Sequence, residues 1–166
     1  IFRGSKIMAK RALVFSPDEL LRKRSREVTS FDARLATLLD DMAETMYAAD
    51  GVGLAAVQVG VLRRAVVIDC GEKRYELINP EILETSGEQT GAEGCLSFPD
   101  QYGEVTRPNY VKVRAQDRRG NWYEAEGEGL LARAFCHEID HLDGVLFPDH
   151  ATQMFEPEKE PKRKKR

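Results

Sequence analysis

Two histidines and a glutamate near the carboxyl end of the chain have the spacing of a metal site. They stand in His137-Glu138-Ile139-Asp140-His141, an H-E-x-x-H pattern within a segment of helical periodicity. Residues four apart share one face of a helix, so both imidazoles can reach a single ion, and Glu138 can act on a water bound to it. Such a short pattern also arises by chance in solvated histidine pairs. Taken on its spacing, it predicts metal-assisted hydrolysis.

The predicted helix around this pattern runs from about Gly129 to Asp143 and ends at Gly144. On a helical wheel, Leu130 and Ala134 fall on the same side as the histidines. An adjoining apolar arc contains Leu131, Phe135, Ile139 and Leu142, and the polar arc contains Arg133, Asp140 and Asp143. Cys136 points into the polar arc, away from the histidines. The histidines are therefore expected to face the interior of the protein.

Two histidines are too few to hold a divalent ion, so a third ligand is required. Phe147 occupies the position where a metzincin carries its third histidine, and the glutamates of residues 156–160 lie in a charged tail. Cys70 closes a predicted buried strand, where a small core residue is the simpler interpretation. Cys95 follows Gly94 in a separate segment. With the two histidines it gives three ligands and an open position for water, which is typical of a catalytic site.

A small, glycine-rich segment, Gly51–Gly60, carries a single polar side chain, Gln58. Its G-x-G-x-x-A pattern is found in dinucleotide-binding loops, but here the segment follows a helix and precedes a strand, which is the reverse of the required order. Two interpretations remain. The segment is either a tight turn packed on the core, or a backbone wall beside which Gln58 donates an amide N–H to a developing oxyanion.

The remaining periodicities predict an α+β fold with a mostly antiparallel sheet. Leu35, Leu38, Leu39, Met42 and Met46 form one face of a helix predicted over residues 32–49. Strands are predicted at 65–69, 75–78, 111–116 and 122–126, the second of them ended by Asn79-Pro80. Residues 87–94 are predicted to be a polar loop. No internal repeat is visible, and residues 8–155 are expected to form one catalytic domain.

Composition limits the classes of function. The 166 residues carry a net charge of −3, although the segment 156–166 holds six basic and three acidic residues. An acidic body does not suit DNA binding. The sequence has no apolar run of membrane-spanning length, and its three cysteines suggest a reducing cytoplasm rather than a disulfide framework. Residues 1–7, before Met8, are expected to be foreign to the natural protein, and 156–166 are expected to be a disordered tail.

Three motifs stand in order along the chain: Gly51-Val52-Gly53-Leu54-Ala55-Ala56-x-Gln58, Glu93-Gly94-Cys95-Leu96-Ser97 and His137-Glu138-x-x-His141. Their order and spacing resemble the peptide deformylase family over residues 8–148. The resemblance implies sheets wrapped around a central HExxH helix. It implies that the metal ligands are Cys95, His137 and His141. It also implies Glu138 as general acid and base, with Gln58 and the backbone N–H of Leu96 as oxyanion donors.

The same resemblance implies a substrate, the N-formyl-methionyl end of a nascent polypeptide, from which formate is released. The peptide is expected to lie along Gly51-Val52-Gly53, partly as an added strand, with Glu93 as a further contact. Leu130 and Ala134 would line the pocket for a methionine-like side chain. The expected metal is ferrous iron, with zinc, nickel or cobalt in some preparations, and the basic tail is a candidate ribosome contact.

Three positions depart from the family pattern. Cys136 replaces a common glutamine, Arg133 occupies a pocket edge that is often apolar, and residues 98–103 lack the arginine that some members place near the peptide carboxylate. Two other functions remain as alternatives. An HExxH endopeptidase would need a third ligand other than Cys95, and a non-catalytic zinc-stabilised binding module would need four protein ligands.

Overall fold

The computed structural model describes residues 9–157, so the expected foreign stretch at 1–7, Met8 and the tail from residue 158 lie outside the described residues. Its helices are α1 (Ala33–Ala48) and α2 (Leu130–Leu142). Its strands are β1 (Gly53–Ala55), β2 (Ala65–Asp69), β3 (Arg74–Ser86), β4 (Gln89–Cys95), β5 (Phe98–Arg107), β6 (Tyr110–Gln116), β7 (Trp122–Glu128) and β8 (Gln153–Phe155). Neither helix is long and apolar enough to cross a membrane.

The strands form two antiparallel sheets. One has the order β1-β2-β3-β6-β7 and the other has the order β4-β5-β8. Helix α2 contacts strands of both sheets, which confirms the expected α+β architecture around the helix that carries the two histidines.

Helix α1 forms because its apolar side chains recur on one face. Leu39, Met42 and Met46 are fully buried, and they pack on Leu54 of β1. The side chain of Asp32 accepts a hydrogen bond from the N–H of Leu35 at 3.1 Å, which caps the first turn. Burial of each such apolar side chain contributes about 1.5–3 kcal/mol relative to exposure. The helix thereby anchors β1, the strand that borders the histidine helix.

Helix α2 is bounded by two glycines with left-handed backbone, Gly129 at φ 60° and Gly144 at φ 73°. A Cβ at Gly144 would collide with the backbone carbonyl of Arg22, so the helix end has room only for glycine. Its apolar arc enters the core, where Phe135 meets Tyr75 edge to face at 5.6 Å between ring centroids. The predicted bounds of this helix are confirmed to within one residue.

Strand β3 does not end at Asn79-Pro80, so that prediction is wrong. The chain bulges there, because the pairing with β6 shifts register between Ile78 and Glu81. Asn79 has φ 50°, and its side chain accepts from Val28 N–H and donates to Val28 O, both at 2.9 Å. A proline lacks the N–H that a ladder needs, but a bulge leaves one residue unpaired and tolerates it.

Residues 87–94 are not a loop, so that prediction is also wrong. Residues from Gln89 onward form strand β4, which pairs with β5 through a hairpin turn at Leu96-Ser97. Its polar, glycine-rich composition hid the strand, because backbone pairing rather than apolar alternation defines it. The missed strand β8 lies on the other side of β5, where Phe155 stacks on Tyr102.

Candidate active site and metal centre

Three potential donor atoms, one from the end of β4 and two from helix α2, lie close together. Cys95 lies at the end of β4, just after a register shift at Gly94, and His137 and His141 lie one turn apart on the helix. One donor atom from each lies within 4.8 Å of the others, and Cys95 Sγ is 3.3 Å from His141 Nε2. Ligands at ordinary zinc distances in a tetrahedron lie roughly 3.3–3.8 Å apart. A thiolate and two imidazoles at this spacing fit one divalent ion.

Glu93 fixes the orientation of the first histidine. Its carboxylate oxygen Oε2 lies 2.7 Å from Nδ1 of His137, which leaves Nε2 of that ring for a ligand. This is the usual way in which a carboxylate sets the ring of a metal-binding histidine. Glu93 is 4% exposed, and both of its oxygens are occupied by protein donors. The expected substrate contact of Glu93 stays a prediction, since the residue lines the cleft although its carboxylate is paired with protein donors.

Two arginines from different elements hold Glu93. Arg107 of β5 donates to both carboxylate oxygens, at 3.1 and 2.8 Å, and also to Asp140 on α2 at 2.7 Å. Arg133 of α2 donates to Glu93 Oε1 at 2.8 Å. Burial alone would raise the pKa of Glu93, but hydrogen bonds from His137 and Arg107 outweigh it and hold the pKa well below its usual range. The carboxylate thus stays charged and ties β4 to α2.

Glu138 is a buried carboxyl group that lines the cleft. It is 3% exposed, and burial, with the nearby charge of Glu93, raises its pKa to about 7, although His137 opposes this shift. Its Oε1 has no hydrogen-bond partner among the described residues, and the residue lines the cleft. A carboxyl group with a pKa near the working pH is suited to both accept and return a proton.

The two histidines differ in their affinity for a proton. Burial lowers the pKa of both, but the charge of Glu138 and hydrogen bonds with Cys95 and Glu93 raise the pKa of His137 well above its usual value. Burial, reinforced by the charge of His137, lowers the pKa of His141 well below its usual value. Protonation of one ring therefore disfavours protonation of the other.

Gln58 lies at the back of this cluster. Its Nε2 donates to Ser97 Oγ at 3.0 Å and to Cys95 Sγ at 3.4 Å, while its Oε1 accepts from Ala55 N–H at 2.9 Å. The backbone donor at Ala55 fixes which end of the amide faces the sulfur. Gln58 is 1% exposed and is not among the residues that line the cleft. The structure therefore places its amide N–H against Cys95, a candidate metal ligand, and not at the cleft surface.

A cleft of about 590 Å³ opens in front of the donor atoms. Its lining includes ten of the twelve predicted site residues, all except Gln58 and His141: Gly51, Val52, Gly53, Glu93, Cys95, Leu96, Leu130, Ala134, His137 and Glu138. Gly53 is there because of a close approach, since a Cβ at this position would lie 2.5 Å from Glu138 Oε2. The sequence motifs thus meet at one cleft.

Four contributors were not predicted from the sequence: Arg107, Arg133 as a partner of Glu93, Asp140 and Ser97. Asp140 and Arg133 were assigned to the polar arc of the helix. Arg133 is instead buried and pairs with Glu93 of β4, and the partly exposed Asp140 pairs with Arg107 of β5. The only available signal was charged residues flanking the motif histidines. Their partners lie 33 and 40 residues away in the chain, so local spacing could not pair them.

Comparison with known proteins identifies the family of this chain. A family model described as polypeptide deformylase matches residues 10–156. A peptide deformylase of Caldicellulosiruptor bescii is 57% identical over 159 residues, covering 96% of each chain. One of Thermoanaerobacter pseudethanolicus is 61% identical over 141 residues, covering 85% of this chain and 89% of that protein.

Solved structures agree. A peptide deformylase from Legionella pneumophila superposes with a TM-score of 0.84 at 48% identity, covering 87% of each chain. One from Thermotoga maritima superposes with the same TM-score at 46% identity, covering 87% of this chain and 99% of that one. The residues matched by the family model, 10–156, include the whole cleft and all three candidate metal ligands. The chain belongs to the polypeptide deformylase family, the hydrolases that remove the N-formyl group from the first residue of nascent polypeptides.

Proposed function

We propose that Cys95, His137 and His141 hold one divalent ion with which this chain hydrolyses the formyl group of N-formyl-methionyl peptides. The convergence of these three donor atoms at the cleft is the observation that carries the proposal. When bound, such an ion lowers the pKa of a water ligand and polarises the formyl oxygen. Three protein donors leave a position for water, which separates this site from a closed structural one.

Glu138 moves the proton. It accepts one from the attacking water, whose oxygen adds to the formyl carbon, and it returns the proton to the amine nitrogen as the C–N bond breaks. The products are formate and a free α-amino group, so one water is consumed. A pKa of about 7 makes both transfers accessible near neutral pH. Gly53 supports this role because its missing side chain makes room for the carboxylate.

The negative charge that develops on the formyl oxygen requires donors. The backbone N–H of Leu96 and the amide of Gln58 are the candidates on this chain, and one such donor is commonly worth about 3–4 kcal/mol in the transition state. Both belong to the wall around Cys95, with Leu96 on the cleft surface and Gln58 behind it. For Gln58 to stabilise this oxygen, the amide N–H that contacts Cys95 Sγ must also donate a hydrogen bond to the substrate.

The peptide is proposed to add to the free edge of β1, at Gly51-Val52-Gly53. Strand β1 stands at the end of the five-stranded sheet order, and these residues line the cleft. Added-strand binding uses backbone hydrogen bonds and therefore tolerates many downstream sequences. Leu130 and Ala134 lie on the same side of α2 as His137 and line the same cleft, so they are proposed to contact the first side chain.

Ferrous iron is the proposed resident metal, with zinc, nickel or cobalt as substitutes. One thiolate with two imidazoles is a borderline-soft donor set that suits all four ions. A cytoplasmic location is proposed because three free cysteines, one of them a ligand, require a reducing compartment. The basic residues 162–166, outside the described residues, are a proposed ribosome contact. Salt-sensitive ribosome binding lost on deleting residues 157–166 supports this contact, and unchanged binding contradicts it.

The test of the proposed function is formate release from formyl-Met-Ala-Ser by protein purified without oxygen, with elemental analysis of the same sample. We expect one metal per chain and formate in proportion to metal. The endopeptidase alternative predicts cleavage of internal bonds in casein instead. Metal without formate release contradicts the proposal, as does formate release by metal-free protein.

A further inference from the structure

The cleft of this chain contains a buried arginine. Arg133 lies one helical turn before His137 on α2 and is 8% exposed, yet it lines the cleft together with Leu130 and Ala134. It is the one lysine or arginine in that lining as the structure describes it. A buried cation at this position makes an otherwise largely apolar pocket wall locally polar.

Two hydrogen bonds hold the guanidinium in place. Its Nη1 donates to Glu93 Oε1 of β4 at 2.8 Å, and its Nη2 donates to the carbonyl of Val105 on β5 at 3.0 Å. Gly91 of β4 lies near the guanidinium, since a Cβ there would be 3.8 Å from Nη2. The planar group is therefore fixed by two strands rather than free to turn toward solvent.

Most of the hydrogen-bonding capacity of Arg133 is not used by these contacts. A guanidinium has five N–H donors, and the two bonds above are those that it makes among residues 9–157. The charge of Glu93 is also shared, because Arg107 contacts both of its oxygens and His137 contacts one. Arg133 can thus offer N–H donors to a ligand in the cleft without leaving Glu93 unpaired.

We propose that Arg133 is a specificity-determining residue that lets this chain process peptides beginning with N-formyl-methionine sulfoxide as well as N-formyl-methionine. This inference rests on the proposed function, in which the first side chain lies against Leu130 and Ala134. A thioether sulfur is a weak acceptor, a sulfoxide oxygen is a strong one, and the hydrocarbon norleucine has none. A purely apolar pocket would reject the sulfoxide, because its oxygen would be buried without a partner.

The first measurement uses the wild-type enzyme loaded with metal. We expect kcat/KM for formyl-Met(O)-Ala-Ser to lie within about tenfold of that for formyl-Met-Ala-Ser, since a hydrogen bond from a charged donor compensates for the buried oxygen. A loss of more than about 100-fold for the sulfoxide, the cost expected of an unpaired polar group, overturns the proposal.

The second measurement compares two variants on both peptides and on formyl-Nle-Ala-Ser. Arg133→Leu should lower kcat/KM for the sulfoxide about tenfold or more beyond its effect on the other two peptides. Arg107→Lys is the matched control, because Arg107 contacts the same Glu93 but does not line the cleft. Arg107→Lys should change kcat/KM for all three peptides by the same factor. Arg133→Lys keeps the positive charge, so its loss of kcat/KM for the sulfoxide should be smaller than that of Arg133→Leu. It replaces Arg133→Leu as the test if that variant does not fold.

The outcomes separate the two hypotheses. No formate from formyl-Met-Ala-Ser contradicts the proposed function itself. If the wild type releases formate normally from that peptide and Arg133→Leu lowers kcat/KM for all three peptides by the same factor, only the specificity role is overturned. Arg133 then remains a partner of Glu93. A changed sulfoxide ratio in Arg107→Lys also overturns it, because the ratio would then report on Glu93 rather than on the guanidinium.

Discussion

Gly53 and Glu138 are packed so closely that any side chain at position 53 would displace the carboxylate. A Cβ there would lie 2.5 Å from Oε2 and 2.9 Å from two carbons of the same side chain. The edge strand that is proposed to receive the peptide thus also fixes the group that is proposed to move the proton. The absence of a side chain at one residue couples substrate alignment to acid–base chemistry.

Gly53→Ala is therefore expected to lower kcat about 100-fold, the effect of misplacing a catalytic group by roughly an ångström. Metal content should be unchanged, because the atoms nearest to a Cβ at Gly53 belong to Glu138 and not to a proposed metal ligand. Steady-state formate release with elemental analysis checks this. Gly91→Ala is the matched control, since a Cβ there meets only an ordinary contact at 3.8 Å. Equal activity of the two variants would contradict the coupling.

Replacing the proposed general base should separate chemistry from metal binding. Glu138→Ala and Glu138→Gln should retain one metal per chain and lose formate release by at least the 10²–10⁴-fold that is roughly typical of acid–base catalysis. Glu138→Ala also removes a buried carboxyl oxygen that has no partner among the described residues, whereas Glu138→Gln keeps an oxygen there. Turnover near the wild-type rate in either variant would remove Glu138 from the mechanism.

Metal binding should stabilise the fold through Cys95. A ligand present at 100 times its Kd stabilises the native state by about 2.7 kcal/mol, so chelation should lower the Tm of the wild-type protein. Cys95→Ser should show a smaller Tm difference with and without chelator, because a hydroxyl is a poor substitute for a thiolate. Differential scanning calorimetry measures both. An unchanged chelator effect in Cys95→Ser would take this cysteine out of the metal site.

The pairing of Glu93 with His137 should appear in metal affinity. Glu93→Gln keeps the shape of the side chain but removes the charge that orients the ring, and loss of such a partner typically weakens metal binding by about 10–100-fold. Competition with a chromophoric chelator measures the change. Asp140→Asn is a control that touches Arg107 without touching His137. It should weaken binding less, and the reverse order would contradict the assigned role of Glu93.

A stability effect without an activity effect is expected at Asn79. Its side chain satisfies the backbone N–H and carbonyl of buried Val28 and also donates to Gln116. Asn79→Ala should lower the free energy of unfolding on the order of 2–3 kcal/mol, because these groups lose their partners. Asn79→Gly should cost less, since glycine accepts the positive φ. Urea unfolding measures both, with formate release per folded molecule unchanged.

Two predictions from the sequence failed for the same reason. The bulge at Asn79-Pro80 and the strand at residues 89–95 depend on backbone hydrogen bonds to distant segments. Proline and glycine mark the ends of strands when only local propensity is considered. A sheet partner overrides that propensity, and the partner of β4 is known only after the chain has folded. By contrast, the helix at residues 130–142 was found because its apolar period is local.

The sequence by itself determined the family and the candidate donor residues: H-E-x-x-H spacing places two histidines on one helix face, and the motifs around Gln58 and Cys95 complete the pattern. Only the tertiary structure decided how those donors are held. Glu93 hydrogen-bonds to His137, while Arg107 and Arg133 reach it from β5 and α2. The physical reason is that helical spacing is fixed by covalent geometry, whereas pairing of buried charges depends on which distant strands are brought together.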